Sequence, residues 1–211
     1  MALFISLLFA TILCSCQTQQ NSEGSVLDDA EKIARIEQQR QAKDKVFKQE
    51  VESPLPDGDK PLFTGLDYYP VDLRYALRLP LMKYGQKEIF KIVTSTGMLR
   101  DAEKYGYFEL ELHGQLCQLQ VYRLLDIQSQ YPGYLFVPFM DATTSKETYA
   151  GGRYLDLQEN ELGIYELDFN LAYNPSCAYG KEGYNCPIPP AENWLPVAIR
   201  AGEKNYDSGD H

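Results

Sequence analysis

The stretch that decides the fold reads Tyr107-Phe-Glu-Leu-Glu-Leu-His-Gly-Gln-Leu-Cys-Gln-Leu-Gln-Val-Tyr-Arg-Leu124. In its first arm Phe108, Leu110 and Leu112 alternate with Glu109, Glu111 and His113. After Gly114-Gln115, Cys117, Leu119 and Val121 alternate with Gln118, Gln120 and Tyr122. Successive side chains of a strand point to opposite faces, so each arm carries one apolar and one polar face. The glycine between them marks the turn of a hairpin. This reading buries Cys117 and sets His113 on the solvent face beside the turn.

Further strands follow on both sides. Residues 74–82 and 87–95 alternate or are rich in β-branched side chains. Residues 135–139 form a short apolar strand ended by Asp141, and 152–157, 164–169 and 195–199 add three more. Upstream, residues 25–50 have helical character. Ser25 is placed to cap a helix whose first turn holds Asp28 and Asp29, where the dipole favours acids. Val26, Ala30 and Ile33 line one stripe, resumed by Val46 and Phe47, while the middle is almost wholly polar. Such a helix is expected to touch a domain only at its ends. Pro54 and Pro56 terminate it. One helix followed by many strands predicts a mainly-β chain: a single antiparallel barrel- or sandwich-like domain at 51–211, preceded by a helical stalk at 25–50.

The N-terminus bears on location. Residues 2–13 are an apolar run too short to span a bilayer but suited to a signal-peptide core. Leu13-Cys14-Ser15-Cys16 resembles the bacterial lipobox, which implies removal of a signal peptide at 1–15 and acylation of Cys16. Residues 16–24 then form a polar tether, and the membrane is a partner through the lipid on Cys16. An ordinary cleaved secretion signal is the alternative. No aspartate occupies the second mature position, a pattern that in Gram-negative lipoproteins implies passage to the outer membrane. The expected location is therefore the bacterial cell envelope.

Three cysteines remain in the mature chain: Cys117, Cys177 and Cys186. An exported domain meets an oxidising compartment, and Cys177 and Cys186 enclose a short Gly- and Tyr-rich loop. A disulfide between them is the natural pairing. A metal site is the competing reading, although CxxC spacing is absent and only His113 and His211 could complete it. No metal or cofactor is expected.

Thirty acidic against twenty basic side chains give a net charge of −10, which argues against nucleic acid as a partner. The sixteen tyrosines suit strand surfaces and sugar or protein contacts alike. The chain lacks a phosphate-cradling glycine loop, a GxSxG elbow and an HExxH helix. What chemistry the sequence offers is concentrated in polar residues at strand ends. Asp141, Glu147, Arg153 and Asp168 are the candidates for one shared pocket, with Asn170, Asn174, Glu192 and Asn193 as further ligand-binding candidates. Two of the carboxylates could act as acid and base, as in glycoside hydrolysis. They could equally cap strand ends and pair with Arg153.

Several runs resemble a bacterial family known as domain of unknown function 1684. They are Phe63-Thr-Gly-Leu-Asp-Tyr-Tyr-Pro70 with Ser53-Pro54-Leu55, Phe136-Val-Pro-Phe-Met-Asp141, and Glu147-Thr-Tyr-Ala-Gly-Gly-Arg-Tyr-Leu-Asp156. The longest match comprises Leu167-Asp-Phe-Asn-Leu-Ala-Tyr-Asn-Pro175, Cys177-Ala-Tyr, Cys186-Pro-Ile-Pro-Pro-Ala-Glu-Asn193, Leu195-Pro-Val and Ala201-Gly-Glu-Lys204. The resemblance covers nearly everything after residue 45 and carries no activity with it. It implies that Asp168, Asn170, Asn174, Cys177, Cys186, Glu192, Asn193, Glu203 and Lys204 matter for folding or function. The expected role is a ligand- or partner-binding module. The alternative is a carboxylate-dependent hydrolase of exported glycans or esters, which requires two acids in one cleft.

Overall fold

The structure, a computed structural model, describes residues 28–207. Cys16, the tether, the leader and Ser25 lie outside the described residues. Helix α1 (Asp29–Gln49) is followed by seven strands: β1 (Ala76–Pro80), β2 (Met82–Val93), β3 (Leu99–Leu112), β4 (Gln115–Leu124), β5 (Tyr134–Phe139), β6 (Arg153–Gln158) and β7 (Ile164–Asp168). An open five-stranded sheet runs in the order β2-β3-β4-β5-β6, and β1 pairs with β7 in a second, two-stranded sheet. Every pairing within these sheets is antiparallel. The mainly-β expectation holds, and of the two shapes the sandwich-like one fits because no barrel closes.

The hairpin is as its alternation predicts. Phe108, Leu110, Leu112, Leu119 and Val121 are buried in the main core, together with Val137 and Phe139 of β5 and Leu167 of β7. The turn sits one residue earlier than expected: His113 and Gly114 both take positive φ, 52° and 77°, between paired Leu112 and Gln115. Two central residues in that region match the twist of the flanking strands. Cys117 is a correction. It is half-buried, because its strand end extends past the core beside fully exposed Leu116. Midway along β3, a Cβ at Gly106 would lie 2.5 Å from the Met82 carbonyl, so only glycine permits β2 to approach there.

Two other expectations are corrected. Residues 195–199 do not form a strand. Leu195, Val197 and Ile199 are buried, but Pro196 lacks a donor and the segment makes only scattered bonds to Met140 and Ala142. The second correction concerns the helix. Asp28, not Ser25, caps α1 by accepting from the Glu31 N–H at 2.8 Å. Its buried residues are Ile36, Arg40 and Phe47, while Ile33 and Val46 are exposed. Phe47 packs with Leu55, Phe63 and Tyr179 in a small cluster. The polar middle does touch the domain: Arg40 donates to the carbonyls of Tyr69 and Asn170, and Lys43 pairs with Glu203. A hydropathy stripe cannot register a helix held by charged side chains.

Candidate functional site

Under α1 lies a cleft of about 280 Å³, at the small end of ligand pockets. Arg40 and Lys43 form its helical wall, Tyr68 comes from the long loop before β1, and Asp156, Glu166 and Asp168 come from β6 and β7. Tyr173 and Glu203 complete its floor. Glu203 is 1% exposed and fully engaged: it pairs with Lys43 and accepts from the Asn174 N–H and the Tyr179 hydroxyl. Asp156 accepts from Tyr134 at 2.6 Å and from Tyr173 at 2.7 Å. Asp168 accepts from the backbone and side-chain nitrogens of Asn170, both on Oδ1. Its position at the end of β7, capping the turn Phe169–Leu171, fixes it at the cleft.

The electrostatics of the cleft depart from those of the surface. Burial raises the Asp168 pKa above the usual carboxylate value, against the two Asn170 bonds that lower it. The chain packed around Asp156 raises its pKa too, opposed by the Tyr134 and Tyr173 hydroxyls, although this side chain keeps an exposed edge at the rim. Burial likewise holds the Tyr173 and Tyr68 hydroxyls neutral, with Glu203 and Asp44 adding to the effect at Tyr68. Arg40 Nε has no hydrogen-bond partner, and the Tyr68 hydroxyl faces Glu203 without a bond of normal geometry. Arg40 sits over the Tyr68 ring at 4.5 Å, and Lys43 over the Tyr173 ring at 4.9 Å.

The sequence-predicted candidates are not brought into one pocket. Asp168 and Asn170 line the cleft. Asp141 and Arg153 are buried elsewhere in a mutual ion pair of 2.6 Å and are closed to any ligand. Glu147 is held outside by Arg200 at 2.7 Å and by the Tyr69 hydroxyl, and that pairing lowers its pKa. Glu192 accepts from Tyr122 and pairs with Lys104 beside β3 and β4. The expected pocket of Asp141, Glu147, Arg153 and Asp168 is therefore corrected to one containing Asp168 alone of the four. Asp156 and Glu203 belong to it but were not among the ligand-binding candidates, although the family resemblance named Glu203. Asp156 lies on strand β6 where alternation alone predicts an outward side chain, and only the docking of α1 turns that face into a cleft wall.

The sequence profile of a family described as protein of unknown function (DUF1684) matches residues 62–204. The chain belongs to that family. No curated protein matches it. Among solved structures it is similar to the solution NMR structure of an uncharacterized protein from Haloarcula marismortui, with a TM-score of 0.62 and 32% identity. That likeness covers 84% of this chain and 95% of the other. That neighbour comes from an archaeon.

Within the DUF1684 region, most of the motif residues have structural roles. Asn193 accepts from the Gln120 N–H at 2.8 Å and donates to the carbonyls of Gln120 and Pro138, bridging β4 and β5 where the strands pair only at Tyr122 and Phe136. Asn170 does the same for both backbone groups of Asp72. Asn174 donates to the Lys204 carbonyl. Gly202, at φ 78°, lets the last segment approach the Ala172 carbonyl, where a Cβ would stand 2.5 Å away. Cys177 and Cys186 form a disulfide with an S–S distance of 2.06 Å. That removes the metal reading of this pair. The floor of the cleft lies inside the family region, whereas Arg40 and Lys43 precede it.

Proposed function

We propose that this DUF1684 protein is a lipid-anchored module of the bacterial cell envelope that binds a small polar ligand in the cleft beneath α1. The observation that carries the binding reading is the cleft itself. Asp156 and Asp168 line it without a cationic partner, and the buried Nε of Arg40 in the same cleft is unsatisfied. Buried polar groups left unpaired are rare in proteins and are where a ligand contributes most. The lipobox-like Leu13-Cys14-Ser15-Cys16 supports the anchor, and a lipid on Cys16 would hold the domain at the membrane, with the outer membrane as the expected site.

The test is native mass spectrometry of the protein extracted from bacterial membranes without denaturation. A stoichiometric small-molecule adduct, lost in Asp168→Asn, is the expected result. A bare mass together with no uptake from a metabolite extract overturns the binding reading. For the anchor, Cys16→Ser should move the protein from the membrane to the soluble fraction.

A second reading has one observation in its favour. Asp156 and Asp168 are two carboxylates lining one cleft, both raised in pKa, and a raised carboxylic acid can serve as a general acid. Hydrolysis of an exported glycan or ester would then require both. Turnover of a glycan or ester that survives Asp156→Asn rules this reading out.

A further inference from the structure

We infer that the cleft takes a small molecule carrying an ammonium group beside a hydrogen-bond-accepting oxygen, of the kind found in an amino sugar. The inference rests on the binding reading above and names the ligand class for that same cleft. It follows from which charges are already matched. Lys43 is taken by Glu203, and Arg40 by Glu37 at 3.3 Å and by two backbone carbonyls. Asp156, Glu166 and Asp168 form no ion pair among the described residues, so the cleft keeps an unmatched negative charge. Asp168 is half-buried, and there the charge is costly to keep unmatched. An ammonium group removes the cost.

The oxygen acceptor follows from a different observation. Arg40 is 7% exposed, yet its Nε–H has no acceptor, and the Tyr68 ring lies beneath the same guanidinium with its hydroxyl toward Glu203. An Nε–H can only donate, so no cation satisfies it. A ligand oxygen reached by a small rotation of the Tyr68 ring would satisfy it, and side-chain adjustments of that kind are common on binding. The aromatic walls are compatible with positive charge, since Lys43 and Arg40 already rest on the rings of Tyr173 and Tyr68. A metal cation fits less well, because no three His, Cys, Asp or Glu side chains among the described residues are placed to hold one. The volume of about 280 Å³ admits a single ring and not an extended chain.

Three compounds of similar size separate the requirements: D-glucosamine has both groups, D-glucose has only the oxygens, and cyclohexylamine has only the charge. Titration of the full chain in detergent micelles, followed by calorimetry and by saturation transfer to each compound, should show D-glucosamine binding at least tenfold tighter than either of the others. Asp168→Asn and Asp156→Asn should each weaken it tenfold or more. Exposed Glu166→Gln, at a side chain for which no hydrogen bond or ion pair is found among the described residues, should weaken it less and serves if the other variants do not fold. Equal binding of D-glucose overturns the ammonium requirement and leaves the binding reading intact. Equal binding of cyclohexylamine overturns the oxygen requirement. No binding by any of the three overturns the ligand class, and the native mass then decides the binding reading separately.

Discussion

Two buried arginines in this molecule are in opposite states. Arg153, 1% exposed, donates to the carbonyls of Ala201, Glu203 and Ile199 and to the Asp141 carboxylate, and its guanidinium lies over the Phe139 ring. It ties the C-terminal segment to β5 and β6. Arg40 is nearly as buried, but its Nε is unsatisfied, its carboxylate partner Glu37 is half exposed, and burial lowers its pKa. A polar group with every bond made holds a fold together. One left short of a partner in a cleft marks a surface that something else completes. The difference separates the structural half of the family's motif from the part that can bind.

The largest test of this comparison is Arg153→Met. It leaves the Asp141 carboxylate in the core without its ion-pair partner, which costs about 3–5 kcal/mol, read as a fall in the urea midpoint. Adding Asp141→Asn should recover only part of that loss, because Asp141 also accepts from the Thr143 N–H at 2.6 Å and from its hydroxyl. Next comes Asn193→Ala, which strands the two backbone groups of Gln120 and the Pro138 carbonyl. The expected cost is about 1–3 kcal/mol. Arg40→Met should cost about 1 kcal/mol or less, since its ion pair is partly solvated and removing the unsatisfied Nε offsets the lost bonds. Its effect should instead appear as faster amide exchange in α1. If Arg40→Met destabilises the chain as much as Arg153→Met does, the comparison fails.

The same contrast explains what the sequence revealed. Strict alternation in Tyr107–Leu124 is a local signal, and it placed Phe108, Leu110, Leu119 and Val121 in the core correctly. Cys117 escaped it because alternation fixes the face of a strand and not how far the core extends along it. The helix was visible, but its docking was not: Arg40 and Lys43, which hydropathy reads as solvent-facing, hold its middle against the domain. The candidate site suffered most. Asp141 and Arg153 looked as functional as Asp168 because sequence shows residue types and not partners. Asn170 and Asn193, flagged through the family motifs, bond to backbone groups 98 and 73 residues away, a distance no periodicity reaches. Asp156 became a cleft residue only through a helix more than a hundred positions upstream.

The smallest effect is the most diagnostic of the cleft. A carboxylate whose folded pKa lies above its unfolded value binds protons more readily when folded. The stability it contributes is complete below the unfolded pKa, about 3.9, and is lost as pH rises through the folded value. Asp168 is such a group, raised by burial with Glu166 adding to the shift and with Arg40 and the Asn170 bonds opposing it. Asp168→Asn keeps an acceptor oxygen for both Asn170 donors, so its stability near pH 4 should match the parent. As pH rises toward neutrality the parent should lose stability that the variant keeps, and the difference between their urea midpoints should widen in the variant's favour. Asp44 and Asp156 titrate in the same direction, while Glu147 and Glu159 titrate in the opposite one. Their contributions cancel in the difference between the two proteins. A difference that stays flat from pH 4 to pH 7 means that Asp168 is solvated like a surface acid, and the cleft would then have no unmatched charge for a ligand to neutralise.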